Sequence, residues 1–435
     1  MNKLPVQPYK GARDFYPEDK LLQNYIFSVW RGVAERYGYE EYDAPILELT
    51  DLYRAKSGEE IVNEQTYSFT DRGGRDVSLR PEMTPTVSRM VAARRQELSY
   101  PLRWYSIPNV WRYERPQRGR LREHWQLNVD VFGVKTIDAE LELIQIAKDI
   151  MHEFGASDDM YQIQISSRKL VNLLMAQHLK LDVMQSHLMI KLLDKADKIP
   201  RETLLQEASQ IFDDVERNRG MKNLEDILNA KTLADLPPSI VGSDSVKEIQ
   251  ILFTLLKEHK INNAVFNATL MRGFDYYTDI VFEVRDKHPD NNRSMFGGGR
   301  YDGLVGLFGV EPLPVAGFGM GDVTIADFLA THQLTPKLQP ATDVYVVIVG
   351  DVLKEAQKIA RELREEGVNV AVDLSGSKTD KQLKSAVKKN IPFALFIGSD
   401  ELANEQFTLK ELASQKEQKL SLERVISYIK DNRRE

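Results

Sequence analysis

The chain has 435 residues, a formal net charge of −7 and no cysteine, with 42% hydrophobic and 28% charged residues. Two or three globular domains fit that length, and the apolar and charged fractions are those expected of a soluble globular protein. The lack of cysteine excludes a disulfide scaffold, thiol catalysis and thiolate metal sites.

Residues 19–37 are predicted to form an amphipathic helix, with Leu21, Leu22, Tyr25, Ile26, Val29 and Val33 near helical spacing. Thr66 to Leu79 reads as two strands turning at Asp71-Arg72-Gly73-Gly74, and Thr84 to Glu97 as a helix. The segment Trp111 to Gly133 follows. It packs Arg112, Arg115, Arg118, Arg120 and Arg122 into eleven residues of an acidic protein. Arginine offers a planar fork of donors that matches phosphate oxygens two at a time. Pro116 and Gly119 break the run as a hairpin tip does, and Trp125 to Val131 alternates as a half-buried strand. Gln126 and Asp130 then share one face. A solvated basic loop is the plain alternative; a polyphosphate site beside a carboxylate and an amide that read a cationic ligand is the sharper one.

Asp138 to Phe154 is a clean amphipathic helix, with Leu141, Ile144, Ile146, Ile150 and Met151 facing the core. From Arg168 to about Lys260 the pattern is helical, broken at Pro237-Pro238. Strand patterns resume at Ala264 to Leu270 and Ile280 to Val284, and Gly317 to Leu329 reads as a glycine-rich strand entering a helix. Thr331 to Thr342, with Pro336 and Pro340, is expected to be a linker. Beyond it, strands at 344–349, 368–374 and 393–398 alternate with helices near 352–366 and 378–390. That order predicts a small α/β domain with a largely parallel core. Its basic and acidic residues balance, which also suits an oligomerisation or regulatory module. The N-terminal MNKLPVQPYKGARDF lacks the apolar centre of a signal peptide, and no stretch approaches a membrane span. A cytoplasmic location without membrane attachment is expected.

RYERPQRGR (Arg112 to Arg120) with QLNVDVFG (Gln126 to Gly133) resembles the second signature motif of class II aminoacyl-tRNA synthetases, and of the histidyl enzymes in particular. KGARDFYP (Lys10 to Pro17) is similar to that family's opening segment. RYGYEEYDAPILE (Arg36 to Glu48) is similar to its first motif. LRPEMTP (Leu79 to Pro85) and RGFDYYT (Arg272 to Thr278) are similar to its amino-acid-binding segments, and FGGGRYDGL (Phe296 to Leu304) follows them. The resemblance covers essentially the whole chain.

It implies an α+β catalytic domain over residues 1–330, with the antiparallel class II synthetase sheet and a helical insertion at about 168–260. A linker at 331–342 and a C-terminal α/β anticodon-binding-like domain at 343–435 complete the chain. The implied reaction is activation of histidine by ATP, with Mg²⁺, followed by transfer to histidine tRNA. Arg112 and Arg272 are the implied catalytic cations at the α-phosphate, with Arg120 and Arg122 on the outer phosphates. Glu82, Thr84 and Gln126 would hold the ammonium group, and Asp130 and Tyr277 the imidazole. Arg112, Arg272 and Tyr276 also belong to the implied histidine site, and no resident metal is implied. Asp130 stands where the family commonly has glutamate. Arg115 and Gln117 would contact the acceptor end of the tRNA, and the first motif implies a homodimer.

One position departs from the family pattern. The third motif normally carries an arginine that stacks on adenine and touches the γ-phosphate; here the residue is Thr324. Arg75, Arg118, Arg122 or Arg300 are candidates to compensate. The competing reading is a catalytically inactive histidine-binding paralogue, similar to the regulatory subunit of ATP phosphoribosyltransferase. Such a protein usually lacks the C-terminal domain and has degraded arginine and RGFDYY segments, whereas this chain keeps all three.

Overall fold

The computed structural model describes residues 4–54, 65–196, 199–270 and 276–433. The chain falls into two units, Met1–Asp14 with Gln23–Thr335, and Phe15–Leu22 with Pro336–Glu435.

Helix α1 (Pro17–Arg36) begins at a proline, whose missing N–H would have no intrahelical partner there. It buries Ile26, Trp30 and Val33 along one face. Strands β1 (Glu40–Glu41) and β2 (Leu47–Leu49), helix α2 (Asp51–Arg54), and the hairpin β3 (Ser68–Thr70) and β4 (Asp76–Leu79) follow. Asp71 shapes the hairpin turn by accepting from the N–H groups of Gly73 and Arg75 at 2.8 and 2.9 Å. The order β2-β4-β3 makes a small separate sheet.

Helix α3 (Thr84–Ala93) stops short of the expected Glu97. The chain must leave helical geometry before Pro101, whose preceding residue favours extended backbone, and it does so through turns at Arg94 and Leu98. Strands β5 (Leu102–Ser106), β6 (Asn109–Trp111) and β7 (Glu123–Phe132) then lead to α4 (Asp138–Glu153). The apolar stripe of α4 is buried as its periodicity predicts, with Ile144, Ile146, Ile150 and Met151 fully covered. After β8 (Tyr161–Ser167) the helical segment contains α5 (Arg168–Leu173), α6 (Val183–Leu193), α7 (Arg201–Ser209), α8 (Arg217–Asn229), α9 (Pro238–Val241) and α10 (Asp244–Glu258).

The main sheet is completed by β9 (Ala264–Phe266), β10 (Ile280–Asp286), β11 (Ser294–Arg300) and β12 (Val315–Gly321), which enters α11 (Asp322–Thr331). Strand β9 is shorter than the expected 264–270. Asn267 accepts from the N–H and hydroxyl of Thr269 at 3.0 and 2.9 Å, and this side-chain turn competes with the ladder. The spatial order is β1-β5-β7-β12-β11-β10-β8-β9, with β6 also on β7. Pairing is antiparallel through the centre and parallel at both edges, β1 on β5 and β8 on β9.

In the second unit, β13 (Val344–Val349), α12 (Leu353–Glu365), β14 (Val370–Val372), α13 (Thr379–Lys388) and β15 (Phe393–Gly398) form the expected parallel core. Alternate residues of β13 and β15 feed two apolar clusters, one around Val344, Val346, Leu395 and Ile397, the other around Tyr345, Val347 and Ala394. Helix α14 (Ser399–Asn404), the antiparallel hairpin β16 (Phe407–Glu411) and β17 (Glu417–Leu420), and α15 (Leu422–Asp431) were not anticipated. Among the described residues, no helix is long and apolar enough to cross a membrane.

Candidate active site

Strand β7 supplies the floor of the site. Its two-residue period points Gln126, Asn128 and Asp130 into one cavity. Glu82 and Thr84, at the start of α3, and Arg112, just after β6, line the same cavity with Tyr276, Tyr277 and Tyr301. Gly317 of β12 lies opposite Asp130 in the ladder. A Cβ there would sit 2.0 Å from Asp130 Oδ1 and 2.8 Å from the Val129 carbonyl oxygen. Glycine is therefore required for the carboxylate to lie across the neighbouring strand.

Asp130 is 3% exposed, and Tyr301 donates its hydroxyl hydrogen to Oδ1. Burial pushes the Asp130 carboxyl up to about 7, and the Tyr301 hydrogen bond restrains the rise. Burial and the facing carboxylate together push the Tyr301 hydroxyl well above its ordinary range. Tyr276 donates to Glu82 Oε2 at 3.2 Å. The Tyr276 ring packs 4.9 Å from Tyr277 and 5.5 Å from Tyr301, centroid to centroid. An aromatic wall therefore carries one tyrosine for each buried carboxylate. Tyr301, from the FGGGRYDGL segment, is the group that positions Asp130.

The arginine segment is the expected hairpin. Its tip closes between Gln117 and Arg120, with Gly119 at φ +74°. Arg112 Nε donates to the Pro81 carbonyl oxygen at 2.9 Å, which ties the arginine to the segment bearing Glu82. Arg115 and Gln117 are exposed at the tip. Arg120 is exposed, 3.6 Å from Glu114. Arg122, expected on the outer phosphates, lies at the base of the hairpin. It is 9% exposed, stacks 4.0 Å over the Tyr113 ring, and donates to Tyr9 Oη and the Glu114 carbonyl at 2.8 and 3.1 Å. Its guanidinium props the base of the hairpin. Arg272 lies outside the described residues.

A family model described as histidyl-tRNA synthetase matches residues 11–322, and one described as anticodon binding domain matches residues 343–432. The chain belongs to the histidyl-tRNA synthetase family. The histidine--tRNA ligase of Leptospira biflexa is 44% identical over 433 residues, 99% of this chain and 98% of the relative. That of Thermoplasma volcanium is 35% identical, with 98% and 99% covered. The solved histidyl-tRNA synthetase from Nostoc sp. PCC 7120 superposes with a TM-score of 0.82 at 22% identity, covering 99% of this chain and 100% of that one. The apo enzyme of S. aureus superposes at 0.71 and 24% identity, with 99% and 100% covered.

In the family's third motif this chain carries Thr324, and each arginine considered for compensation has contacts of its own in the structure. Thr324 Oγ1 lies 3.0 Å from the carbonyl oxygens of both Met295 and Gly321. Arg75 is paired with Asp71 at 2.8 Å in the β3–β4 turn. Arg118 binds Asp327 at 2.8 and 3.1 Å, the Asp290 carbonyl and the Thr331 hydroxyl. Arg300 forks onto buried Glu140 at 2.6 and 2.7 Å, and also holds the carbonyls of Val134 and Thr136. With Arg122 under the hairpin, all four have structural tasks. Sequence reasoning missed His124, although it lies two residues before Gln126 on the same face of β7. It also missed Arg13, whose partner Asp322 is 309 positions away and leaves no local signal.

Proposed function

We propose that the chain acts as a histidine--tRNA ligase, joining histidine to ATP as histidyl-adenylate with release of pyrophosphate, then passing the histidyl group to the 3′ end of histidine tRNA. The observation that carries this reading is the cavity that gathers Glu82, Gln126, Asp130 and three tyrosines beside Arg112, in a chain whose relatives are full-length ligases. A carboxylate and neutral acceptors suit an ammonium group. Asp130, steadied by Tyr301, faces the cavity as an acceptor for an imidazole N–H, with Tyr277 as the partner for the other nitrogen. A site built to bond both ring nitrogens rejects analogues lacking them by roughly 10⁴-fold or more.

Adenylation requires the histidine carboxylate to attack the α-phosphorus in line while charge grows on the non-bridging oxygens. Arg112 is assigned to that phosphate and to the amino-acid carboxylate, with Arg272 as the second cation. Arg120 is assigned to the outer phosphates, and Mg²⁺ enters with ATP. Arg115 and Gln117 at the exposed hairpin tip are assigned to the tRNA acceptor end, where arginine forks readily onto guanine. The matched anticodon-binding domain would read splayed bases.

A homodimer through the small sheet β2-β4-β3 is proposed as well. Leu47, Leu49 and Phe69 are exposed on it, and such a patch on a folded chain suits an isologous contact. A cytoplasmic location completes the reading. Charging of histidine tRNA with labelled histidine tests it: turnover is expected, and a folded protein that binds histidine without charging would favour the regulatory paralogue.

A further inference from the structure

Helix α11 opens with Asp322, which is 2% exposed and joins three parts of the molecule. Its Oδ2 accepts from Arg13 Nη2 at 2.7 Å, and its Oδ1 accepts from the backbone N–H of Trp125 at 3.0 Å. The N-terminal segment is stitched to the start of β7, because the Gly11 carbonyl accepts from the N–H groups of Arg122 and Glu123 at 2.8 and 3.2 Å. Gly11 adopts φ +87°, and a Cβ there would lie 2.7 Å from the Arg122 side chain. Only glycine permits that approach. Arg13 is thereby delivered to the corner where β7 meets α11.

His124 occupies that corner. By the two-residue period of β7 it falls on the face that carries Gln126, Asn128 and Asp130. A point at the Cβ position of Gly321 is 3.6 Å from Thr324 Oγ1 and 3.9 Å from His124 Cδ2. Burial pushes the His124 imidazole down to about 3, and the neighbouring cations Arg112 and Arg13 add to the effect. The corner is thus a neutral ring with a guanidinium group near it from each of two segments. The Arg13 side chain keeps 27% exposure while its partner is sealed.

We infer that Arg13 holds the outer phosphates of ATP, in place of the arginine that Thr324 displaces, with Asp322 fixing the plane of its guanidinium. This rests on the ligase reading above. An arginine fork has five donors and can hold a carboxylate and a phosphate together. Arg122, the expected cation for this task, is under the hairpin, and Thr324 brings no charge.

The test compares ATP with AMP, which lacks the outer phosphates, in histidine-dependent pyrophosphate exchange. Arg13→Ala should raise the KM for ATP roughly 10- to 100-fold, the range for losing one charge-assisted hydrogen-bonding group. The inhibition constant of AMP and the KM for histidine should move less than about threefold, because neither ligand reaches Arg13. Adding Thr324→Arg to Arg13→Ala should recover part of the ATP loss. If Arg13→Ala does not fold, Arg13→Lys carries the same comparison, since a point charge keeps attraction without the fork. Equal losses for ATP, AMP and histidine, or an unchanged KM for ATP, would overturn the role of Arg13 while leaving the ligase reading intact. A wild-type protein without exchange would remove both.

Discussion

Tyr301 donates to one oxygen of Asp130, and the other oxygen of that carboxylate is buried with no hydrogen-bond partner among the described residues. A buried acceptor left in this way is costly unless a ligand completes it. In the proposed reading this open oxygen meets the histidine side chain, and Tyr301 sets the angle of the carboxylate.

The first prediction follows from the Asp130 carboxyl, pushed up to about 7 by burial. Below that pH it carries a proton and accepts poorly. The kcat/KM for histidine should therefore rise with pH through a limb near 7, and Asp130→Asn should remove this limb along with most activity. Stability runs the other way. The folded carboxyl binds its proton more tightly than the unfolded one, so folding stability falls as pH rises from about 4 to 7. At pH 8, Asp130→Asn should be more stable than wild type by roughly 2–4 kcal/mol, and the gap should close near pH 4. Denaturant titrations at both pH values check it. An Asn variant less stable at pH 8 would contradict the burial argument.

Gly317→Ala should abolish histidine activation. Its methyl group would meet Asp130 Oδ1 and the Val129 carbonyl, and overpacking of this kind costs about 1–3 kcal/mol or more. Gly303, with nothing within 4 Å of its Cβ position, provides the control. Comparable activity in Gly317→Ala and Gly303→Ala would show that the strand relaxes and that Asp130 is not held as described.

Arg272 enters from the sequence. Arg272→Ala should slow single-turnover adenylation on the order of 10²–10³-fold, as loss of one preorganised transition-state group does. The KM for ATP should change less, and Arg272→Lys should rescue only part of the rate. A folded Arg272→Ala protein within about threefold of wild type, the range of a weak exposed ion pair, would remove it from the catalytic set.

Leu49 and Phe69 are 55% and 52% exposed on the small sheet. Leu49→Glu with Phe69→Glu should shift the protein towards monomer in sedimentation without unfolding it, because surface positions tolerate charge unless a partner covers them. Unchanged association would place the dimer contact elsewhere.

The catalytic architecture was legible wherever local pattern decided it. The stripe of α4, the alternation of β7 and the Pro116 and Gly119 breaks each follow from residues close in sequence. The same holds for the strand-helix order through β15. Beyond it, the hairpin β16–β17 is short and rich in charge, with Glu417, Gln418 and Lys419 exposed, so its apolar alternation is thin. The pairs Tyr301–Asp130 and Arg13–Asp322 join positions 171 and 309 apart and are set by the sheet. Arg122 looked like its neighbouring arginines, yet Tyr9 and Tyr113 draw it inward through contacts that no local pattern announces.

Activation of histidine is the step on which the other roles depend. Exchange of labelled pyrophosphate into ATP, screened with each of the twenty amino acids, tests it without requiring the correct tRNA. Exchange is expected with histidine and with no other amino acid. A folded protein that shows no histidine-dependent exchange, or comparable exchange with a second amino acid, would contradict it.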